Sequence, residues 1–152
     1  MTTLLVQSCS QQKTTASGRI PAFERYDGYF FRIIKNTING GIEKAPFDIC
    51  ILSAEHGLLN PTDYISNYDR EMDERRAAEL RDSVVTQLRE KIQSSGYDPV
   101  VVNLGQVYYQ AIQGFESGLG VTVKTIEGDG IGEKGQELKQ HLESLLSETA
   151  EH

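Results

Sequence analysis

Short apolar or alternating segments are interspersed along the chain with longer segments in which large apolar residues recur every three or four positions. Continuous apolar runs are typical of strands buried on both faces, and they predict strands at residues 3–7, 47–52 and 100–104. Residues 121–126 alternate between apolar and polar, which predicts a fourth strand nearer an edge of the sheet. A period of three to four residues is typical of a helix with one buried face, and it predicts helices at residues 23–38, 73–95, 106–115 and 133–147. This alternation predicts an α/β fold with a mainly parallel sheet of about four strands and helices on both of its faces.

The length and composition fit one globular domain. The chain has 152 residues, of which 38% are hydrophobic, and this is enough for a single core. No apolar run approaches the roughly 20 residues needed to cross a bilayer, and residues 1–7 are too few and too uncharged for a signal peptide. We therefore expect a single domain over residues 1–152 in a soluble, cytoplasmic protein.

Neither the cysteines nor the histidines have the spacing of metal ligands. Cys9 follows the first predicted strand and Cys50 lies within the second, and His56, His141 and His152 are scattered along the chain. We expect no metal ion, no other cofactor and reduced thiols.

The formal net charge of -7 argues against a broad surface that coats nucleic-acid phosphates, because such a surface depends on lysine and arginine. Part of the acidic excess lies in the last predicted helix, where a solvated face is the simplest explanation. A local basic pocket stays compatible with this composition.

Polar residues follow each predicted strand. Crossovers between parallel strands are right-handed, so the loops after the strands gather at one edge of the sheet, where ligands bind in folds of this class. Four loops meet this description, at residues 8–13, 53–69, 103–109 and 127–132. We expect them to surround a common cavity.

The first of these loops has the composition of an anion-binding turn. Ser8, Cys9, Ser10 and Lys13 provide hydroxyl groups, backbone amides and an ammonium group. Cys9 is interpreted as a small packing residue, and a nucleophilic or redox-sensing thiol is the alternative.

The second loop carries the residues best suited to proton transfer. Glu55 and His56 directly follow the strand, and burial can tune either group toward neutrality. Tyr68 and Asp69 end the loop, where the tyrosine can stack on a ring and the aspartate can accept hydrogen bonds. Glu55, His56 and Asp69 are therefore the catalytic candidates, with Glu55 or Asp69 stabilising charge or transferring a proton. The alternatives are a structural role for His56 and a helix-capping role for Asp69.

The last two loops combine an amide with glycines. Asn103 can donate to and accept from the edge of a heterocycle, Gly105 permits close approach, and Tyr108 follows on the next turn. Gly130 lies in a glycine-rich turn that opens the last helix, and the amides of such a turn can hold a phosphate. A flexible turn explains the same glycines equally well.

Several motifs together resemble a family of small uncharacterised bacterial, archaeal and phage proteins. They are Cys-Ser-x-x-Lys at residues 9–13, Pro-Ala at 21–22, Tyr-x-Gly-x-x-Phe at 26–31, Ile-Leu-Ser-Ala-x-x-Gly-Leu-Leu-x-Pro at 51–61, Tyr-Asp at 68–69 and Gly-Ile-Gly at 130–132. That family is similar, more distantly, to YaaA-type peroxide-stress proteins and to a domain of archaeosine synthase. The resemblance covers nearly the whole chain, and it adds Ser53 and Gly57 to the predicted substrate-binding residues.

The resemblance implies a Rossmann-like three-layer sandwich related to uracil-DNA glycosylases and a function that involves nucleobases. We expect an enzyme acting on a nucleobase, nucleoside or nucleotide, such as an N-glycosidase or a base-modifying transferase. The alternative is a non-catalytic module that binds nucleotides or nucleic acid in stress response or phage defence. The chain is shorter and more acidic than YaaA-type proteins, so their DNA-binding surface is not expected to carry over.

Overall fold

A computed structural model describes residues 2–39 and 41–150. The strands are β1 (Thr3–Ser8), β2 (Ile20–Pro21), β3 (Phe47–Ser53), β4 (Gly57–Leu59), β5 (Tyr64–Ile65), β6 (Val100–Asn103) and β7 (Val123–Thr125). The helices are α1 (Ala22–Arg25), α2 (Tyr29–Ile38), α3 (Glu74–Ser95), α4 (Gln106–Tyr109) and α5 (Ile131–Ala150), with a turn of 3-10 helix at Ile42–Lys44.

The main sheet has the strand order β4-β3-β1-β6-β7 and is parallel except at one edge. β1 lies at its centre and pairs in parallel with β3 on one side and with β6 on the other, and β7 is parallel to β6. A mainly parallel sheet flanked by helices confirms the predicted α/β class, and it is consistent with a Rossmann-like fold.

Helices cover both faces of this sheet because the side chains of β1 alternate between them. Leu4 and Val6 belong to the core that contains the buried residues of α3. Leu5 belongs to the core formed with α2 and α5. None of the helices in the described part of the chain is long and apolar enough to cross a membrane.

The predicted mainly parallel sheet is confirmed, and it has five strands instead of about four because one more strand lies at the edge next to β3. Gly57–Leu59 forms a fifth strand that runs antiparallel to β3 as a tight hairpin. Gly57 has φ +75°, a left-handed conformation that glycine adopts without strain, and this lets the chain reverse immediately after β3. The loop beyond it also contains β5, which pairs with β2 in a separate two-stranded sheet.

The predicted helix at residues 23–38 is interrupted. Tyr26 is extended and forms an isolated bridge with Lys13, so α1 ends before it and α2 begins at Tyr29. A Cβ atom at Gly28 would collide with the Cβ of Ser10. The loop after β1, at residues 8–13, therefore packs directly against the start of α2. The apolar period continues across the break because Phe23, Tyr26 and Phe31 belong to the same core.

Two other helix boundaries differ from the predicted ones. The helix predicted at residues 106–115 ends at Tyr109 and continues as turns. The last helix is longer than predicted and begins at Ile131. The helix cap considered for Asp69 was wrong, because Asp73 is the N-cap of α3 and its carboxylate accepts a hydrogen bond from the backbone amide of Arg76 at 2.7 Å.

The strand order reverses between β1 and β6. The chain goes from β1 to β3 on one side and then returns across β1 to place β6 on the other side. The loops that leave β1 and β6 therefore diverge, and in open α/β sheets the crevice between such loops is the usual ligand site.

Candidate functional site

The loops after β1 and β6 meet at one side-chain contact. The sulfur of Cys9 lies 3.2 Å from the hydroxyl oxygen of Tyr108. This contact joins the two loops at the switch point, and residues of these loops line two separate clefts. The rim thus contains two clefts instead of the single cavity that we expected.

The first is the Lys13 cleft, with a volume of about 210 Å³. Its walls are the loop after β1, the segment before α3 and the first turn of α4, and it is lined by Cys9, Ser10, Gln11, Lys13, Asp69, Arg70, Glu71, Met72 and Tyr108. Five of the predicted site residues therefore share one cleft.

The ammonium of Lys13 has no carboxylate within 4 Å among residues 2–39 and 41–150. Its Nζ donates to the backbone oxygen of Gln11 at 3.3 Å and lies 4.4 Å from the centre of the Tyr68 ring. Arg70, the other cation in this cleft, lies 3.8 Å from the carboxylate of Glu55. Lys13 is therefore the cation whose charge is available to an anionic ligand.

The two carboxylates of the Lys13 cleft have different surroundings. Glu71 accepts a hydrogen bond from the side-chain amide of Gln11 at 2.6 Å. In the described part of the chain, no side chain donates to the carboxylate of Asp69. Asp69 is thus free to accept a proton or a hydrogen bond from a ligand.

Other donors predicted for the anion-binding turn are used inside the protein. The hydroxyl of Ser10 donates to the backbone oxygen of Gln12 at 2.7 Å and accepts from the amide of Gly28 at 3.1 Å. The amide of Cys9 donates to the backbone oxygen of Leu52 at 2.9 Å. The loop is therefore held in shape by these groups, and Lys13 is its main contribution to binding.

Tyr68 is anchored below the Lys13 cleft by its hydroxyl group. The Tyr68 hydroxyl lies 2.8 Å from the Ser53 hydroxyl and 2.5 Å from that of Tyr26. Burial raises the pKa of Tyr26 to about 12, and burial also raises the pKa of Tyr68. Lys13 lies over one face of the Tyr68 ring, so Tyr68 helps to position the cation, and its predicted stacking on a ligand stays a prediction.

The other predicted residues after β3 lie outside both clefts. Ser53 is fully buried, and its oxygen accepts from the amides of Glu55 and His56, both at 3.1 Å, so it fixes the hairpin turn. Glu55 and His56 are exposed, and the ring centres of His56 and Tyr68 lie 5.2 Å apart with their planes nearly perpendicular. Gly57 is buried at the start of β4.

The second is the Asn103 cleft, with a volume of about 360 Å³. It lies between the end of β6 and the start of α5, and it is lined by Ser8, Phe30, Asn103, Leu104, Gly105, Gly128, Asp129, Gly130, Ile131 and Lys134. Four of the predicted site residues, Ser8, Asn103, Gly105 and Gly130, therefore share this second cleft.

Two residues that position the site were not singled out from the sequence. Gln7 pairs with Asn103 across β1 and β6. The sequence did hint at a role for Gln7, because it is a polar residue at the end of the otherwise apolar strand predicted at residues 3–7. Arg25 is fully buried, and its guanidinium donates to the backbone oxygens of Thr14, Ala16 and Gly18 at 2.6–3.0 Å. It therefore shapes the loop that carries Lys13, and an arginine within a predicted surface helix offered no sign of this.

A family model matches residues 4–140, which is most of the chain. The chain belongs to DUF6884, a family of unknown function. No curated protein matches this DUF6884 chain. The relation to YaaA-type proteins and to archaeosine synthase stays a prediction.

A solved structure has a similar fold. The crystal structure of AF0587, a protein of unknown function, aligns with 93% of the DUF6884 chain at a TM-score of 0.57 and 16% sequence identity. The chain spans 44% of the length of that structure. At this identity the match supports the α/β fold alone.

Proposed function

We propose that this DUF6884 protein is an enzyme that acts on a nucleobase, nucleoside or nucleotide at the rim above β1 and β6. One observation carries the proposal: Lys13, which has no carboxylate partner within the described residues, lines a cleft at the switch point of a mainly parallel sheet. In this position a fixed cation favours a ligand with a phosphate or carboxylate group.

The two clefts suggest how such a ligand is arranged. The Lys13 cleft, at about 210 Å³, is smaller than the roughly 300–1,000 Å³ of sites that enclose a whole organic ligand, and it suits a phosphate or carboxylate. The Asn103 cleft, at about 360 Å³, reaches that range and has a side-chain amide in its wall, as recognition of a heterocycle requires. The bond between ring and sugar then lies above the contact between Cys9 and Tyr108.

Asp69 is the carboxylate best suited to the reaction. It lines the Lys13 cleft without a protein partner in the described part of the chain, whereas Glu55 lines neither cleft and is paired with Arg70. Cleavage of a glycosidic bond develops positive charge on the sugar, which a nearby carboxylate stabilises. We therefore assign Asp69 to charge stabilisation or proton transfer and Lys13 to binding of the anionic group.

A non-catalytic binding module is the second candidate function. The observation in its favour is that Glu55 and His56, two of the three groups predicted for proton transfer, lie outside both clefts. A module of this kind binds ligands without converting them. If the ligand is nucleic acid, its affinity falls steeply as salt rises, whereas the affinity for a mononucleotide falls only slightly.

The test is a panel of nucleobases, nucleosides and nucleoside monophosphates, with binding followed by thermal shift and turnover followed by chromatography of the products. We expect monophosphates to bind more tightly than nucleosides. Lys13→Met should reduce this preference by roughly tenfold to a hundredfold, because a hydrogen bond to a charged group contributes about 1.5–3 kcal/mol.

Lys124→Met is the matched control, since Lys124 is exposed on β7 and lines neither cleft. It should bind and react as the wild type does. Asp69→Asn should lower turnover while binding is retained. Equal behaviour of the two lysine variants would refute the assignment of Lys13, and binding without any product would favour the second candidate function.

A further inference from the structure

The charged side chains that line the Lys13 cleft balance one another. Lys13 and Arg70 are the cations of this lining, and Asp69 and Glu71 are its carboxylates. If Lys13 were the only cation to contact a ligand, the carboxylates would outnumber the cations around it, and an anion would be repelled. The proposed binding of an anionic group therefore requires a second cation.

The guanidinium of Arg70 has its hydrogen-bond donors free for this purpose. Within residues 2–39 and 41–150 none of them makes a hydrogen bond, and the ion-pair contact there joins Nη1 of Arg70 to Oε2 of Glu55 at 3.8 Å. This distance is longer than a hydrogen bond, and both side chains are 41% exposed. An exposed ion pair of this kind contributes little stability, so a ligand can replace it at small cost.

Glu55, the present partner of Arg70, is held outside the cleft by its backbone. Its amide donates to the hydroxyl oxygen of Ser53 at 3.1 Å, and its backbone oxygen accepts from the guanidinium of Arg76 at 3.0 Å. Arg70 lies in residues 69–72, which form neither helix nor strand. Its guanidinium therefore has two possible partners, the carboxylate of Glu55 outside the cleft and an anion inside it.

We propose that Arg70 is the second anion-binding residue of the Lys13 cleft and that Glu55 competes with the phosphate of the ligand for its guanidinium. This inference rests on the proposed function, because it takes the anion to be the phosphate of a nucleotide. On binding, the contact between Arg70 and Glu55 gives way to hydrogen bonds from Arg70, which a planar guanidinium donates in pairs to two oxygens of one phosphate. Lys13 and Arg70 then hold the same group from two walls of the cleft, and Glu55 sets the affinity.

Calorimetry with adenosine 5′-monophosphate, adenosine and inorganic phosphate tests the role of Arg70. Arg70→Gln should weaken the binding of both phosphate compounds by roughly tenfold to a hundredfold and leave adenosine unchanged. Arg70→Lys keeps the charge but loses the paired donors, so its affinity should lie between the two. Arg75→Gln is the matched control, since Arg75 is exposed on α3 and lines neither cleft. It should bind as the wild type does.

Glu55→Gln tests the competition. Loss of this carboxylate should tighten the binding of both phosphate compounds by about twofold to fivefold, because the pair that the ligand must replace is gone. The same change in the Arg70→Gln background should have no effect, since no guanidinium is left to compete for. Salt at about 0.15 M limits long-range effects of the removed charge. An equal gain in both backgrounds would show that Glu55 only repels the anion, and would refute the competition.

The outcomes separate this inference from the proposed function. If Lys13→Met weakens the monophosphate while Arg70→Gln behaves as Arg75→Gln does, the proposed function stands and the role of Arg70 is refuted. If Arg70→Gln weakens inorganic phosphate but the monophosphate binds no more tightly than inorganic phosphate, the role of Arg70 stands and the nucleotide is refuted as the ligand. If neither phosphate compound binds, both proposals are overturned.

Discussion

The ammonium of Lys13 lies 4.4 Å from the centre of the Tyr68 ring, and the Tyr68 hydroxyl lies within 2.8 Å of the hydroxyls of both Ser53 and Tyr26. The oxygen of Ser53 already accepts two backbone N–H groups, so its own hydrogen is directed to Tyr68. The ring beneath the Lys13 ammonium is thereby held in place by the end of β3. Substitutions that remove the hydroxyl groups of Ser53 or Tyr26 should therefore change the position of this ammonium group.

Removal of the Tyr68 hydroxyl should destabilise the fold modestly. Tyr68→Phe keeps the ring under Lys13 but leaves the hydroxyls of Ser53 and Tyr26 with one partner fewer, at a cost of about 1–2 kcal/mol in the free energy of unfolding. Urea denaturation measures this cost. Tyr64→Phe is the control, since Tyr64 is 58% exposed and its change should stay within about 0.5 kcal/mol.

Alkaline pH should destabilise the protein through Tyr26. Burial raises the pKa of this phenol to about 12, above its ordinary value of 10.0, so the folded state keeps a proton that the unfolded state loses. The stabilisation is fully present below pH 10 and is lost as the pH rises toward 12, by on the order of 2–3 kcal/mol. Urea denaturation at pH 8 and at pH 11 should show about half of this loss in the wild type, because pH 11 lies midway between the two pKa values.

The contribution of Tyr26 can be isolated by substitution. Tyr26→Phe should show a smaller decrease in stability between pH 8 and pH 11 than the wild type, because no phenol is left to ionise at this position. Tyr29→Phe removes a phenol that is 45% exposed and should leave the decrease unchanged. An identical pH dependence in wild type and Tyr26→Phe would show that Tyr26 does not govern it.

Arg25 should contribute far more to stability than a surface arginine. Its guanidinium is fully buried and donates to backbone oxygens of the loop after Lys13. Arg25→Met leaves these acceptors unpaired and should lower the free energy of unfolding by about 2–4 kcal/mol. Arg32→Met breaks an exposed ion pair with Asp27 and should cost no more than about 1 kcal/mol, as denaturation curves of the two variants will show.

The two cysteines should differ in reactivity in the native protein. Cys50 is fully buried, and burial raises the pKa of its thiol to about 12, whereas Cys9 is partly exposed in the Lys13 cleft. We expect a disulfide reagent to modify one thiol per native chain and two after denaturation. Cys9→Ser should abolish the native reaction, and Cys50→Ser should leave it intact; the reverse pattern would contradict the described burial.

Bound nucleotide should slow the reaction of Cys9, because the proposed substrate passes over this sulfur. The rate of thiol modification with and without a monophosphate measures this protection. An unchanged rate at a nucleotide concentration that saturates binding would place the ligand elsewhere.

The sheet and the long helices could be predicted because their apolar periods are strong. The run at Val100–Asn103 and the stripe along α3 each correspond to a buried face. β4 and β5 could not be predicted, since they are three and two residues long and lie within a segment of mixed polarity. Their pairing depends on a left-handed glycine and on contacts with β2, a segment distant in the chain.

The site was partly predictable for a different reason. Topology alone brings the loops after β1 and β6 to the same edge, and this rule collected Lys13, Asn103 and Tyr108. This rule does not specify side-chain contacts. It therefore gave no indication that Cys9 contacts Tyr108, or that the Ser53 hydroxyl is already used by hydrogen bonds within a turn. Gln7 and Arg25 were missed because their roles depend on partners that only the folded chain brings near.

The close approach of Gly28 to Ser10 supports one wall of the Lys13 cleft from behind. A side chain at position 28 has no room, and so the loop after β1 packs directly against the start of α2. The opposite wall, residues 69–72, has neither helix nor strand and is mostly exposed. The lysine of the cleft therefore stands on the wall that the helix layer buttresses, and a larger side chain at position 28 should displace that lysine.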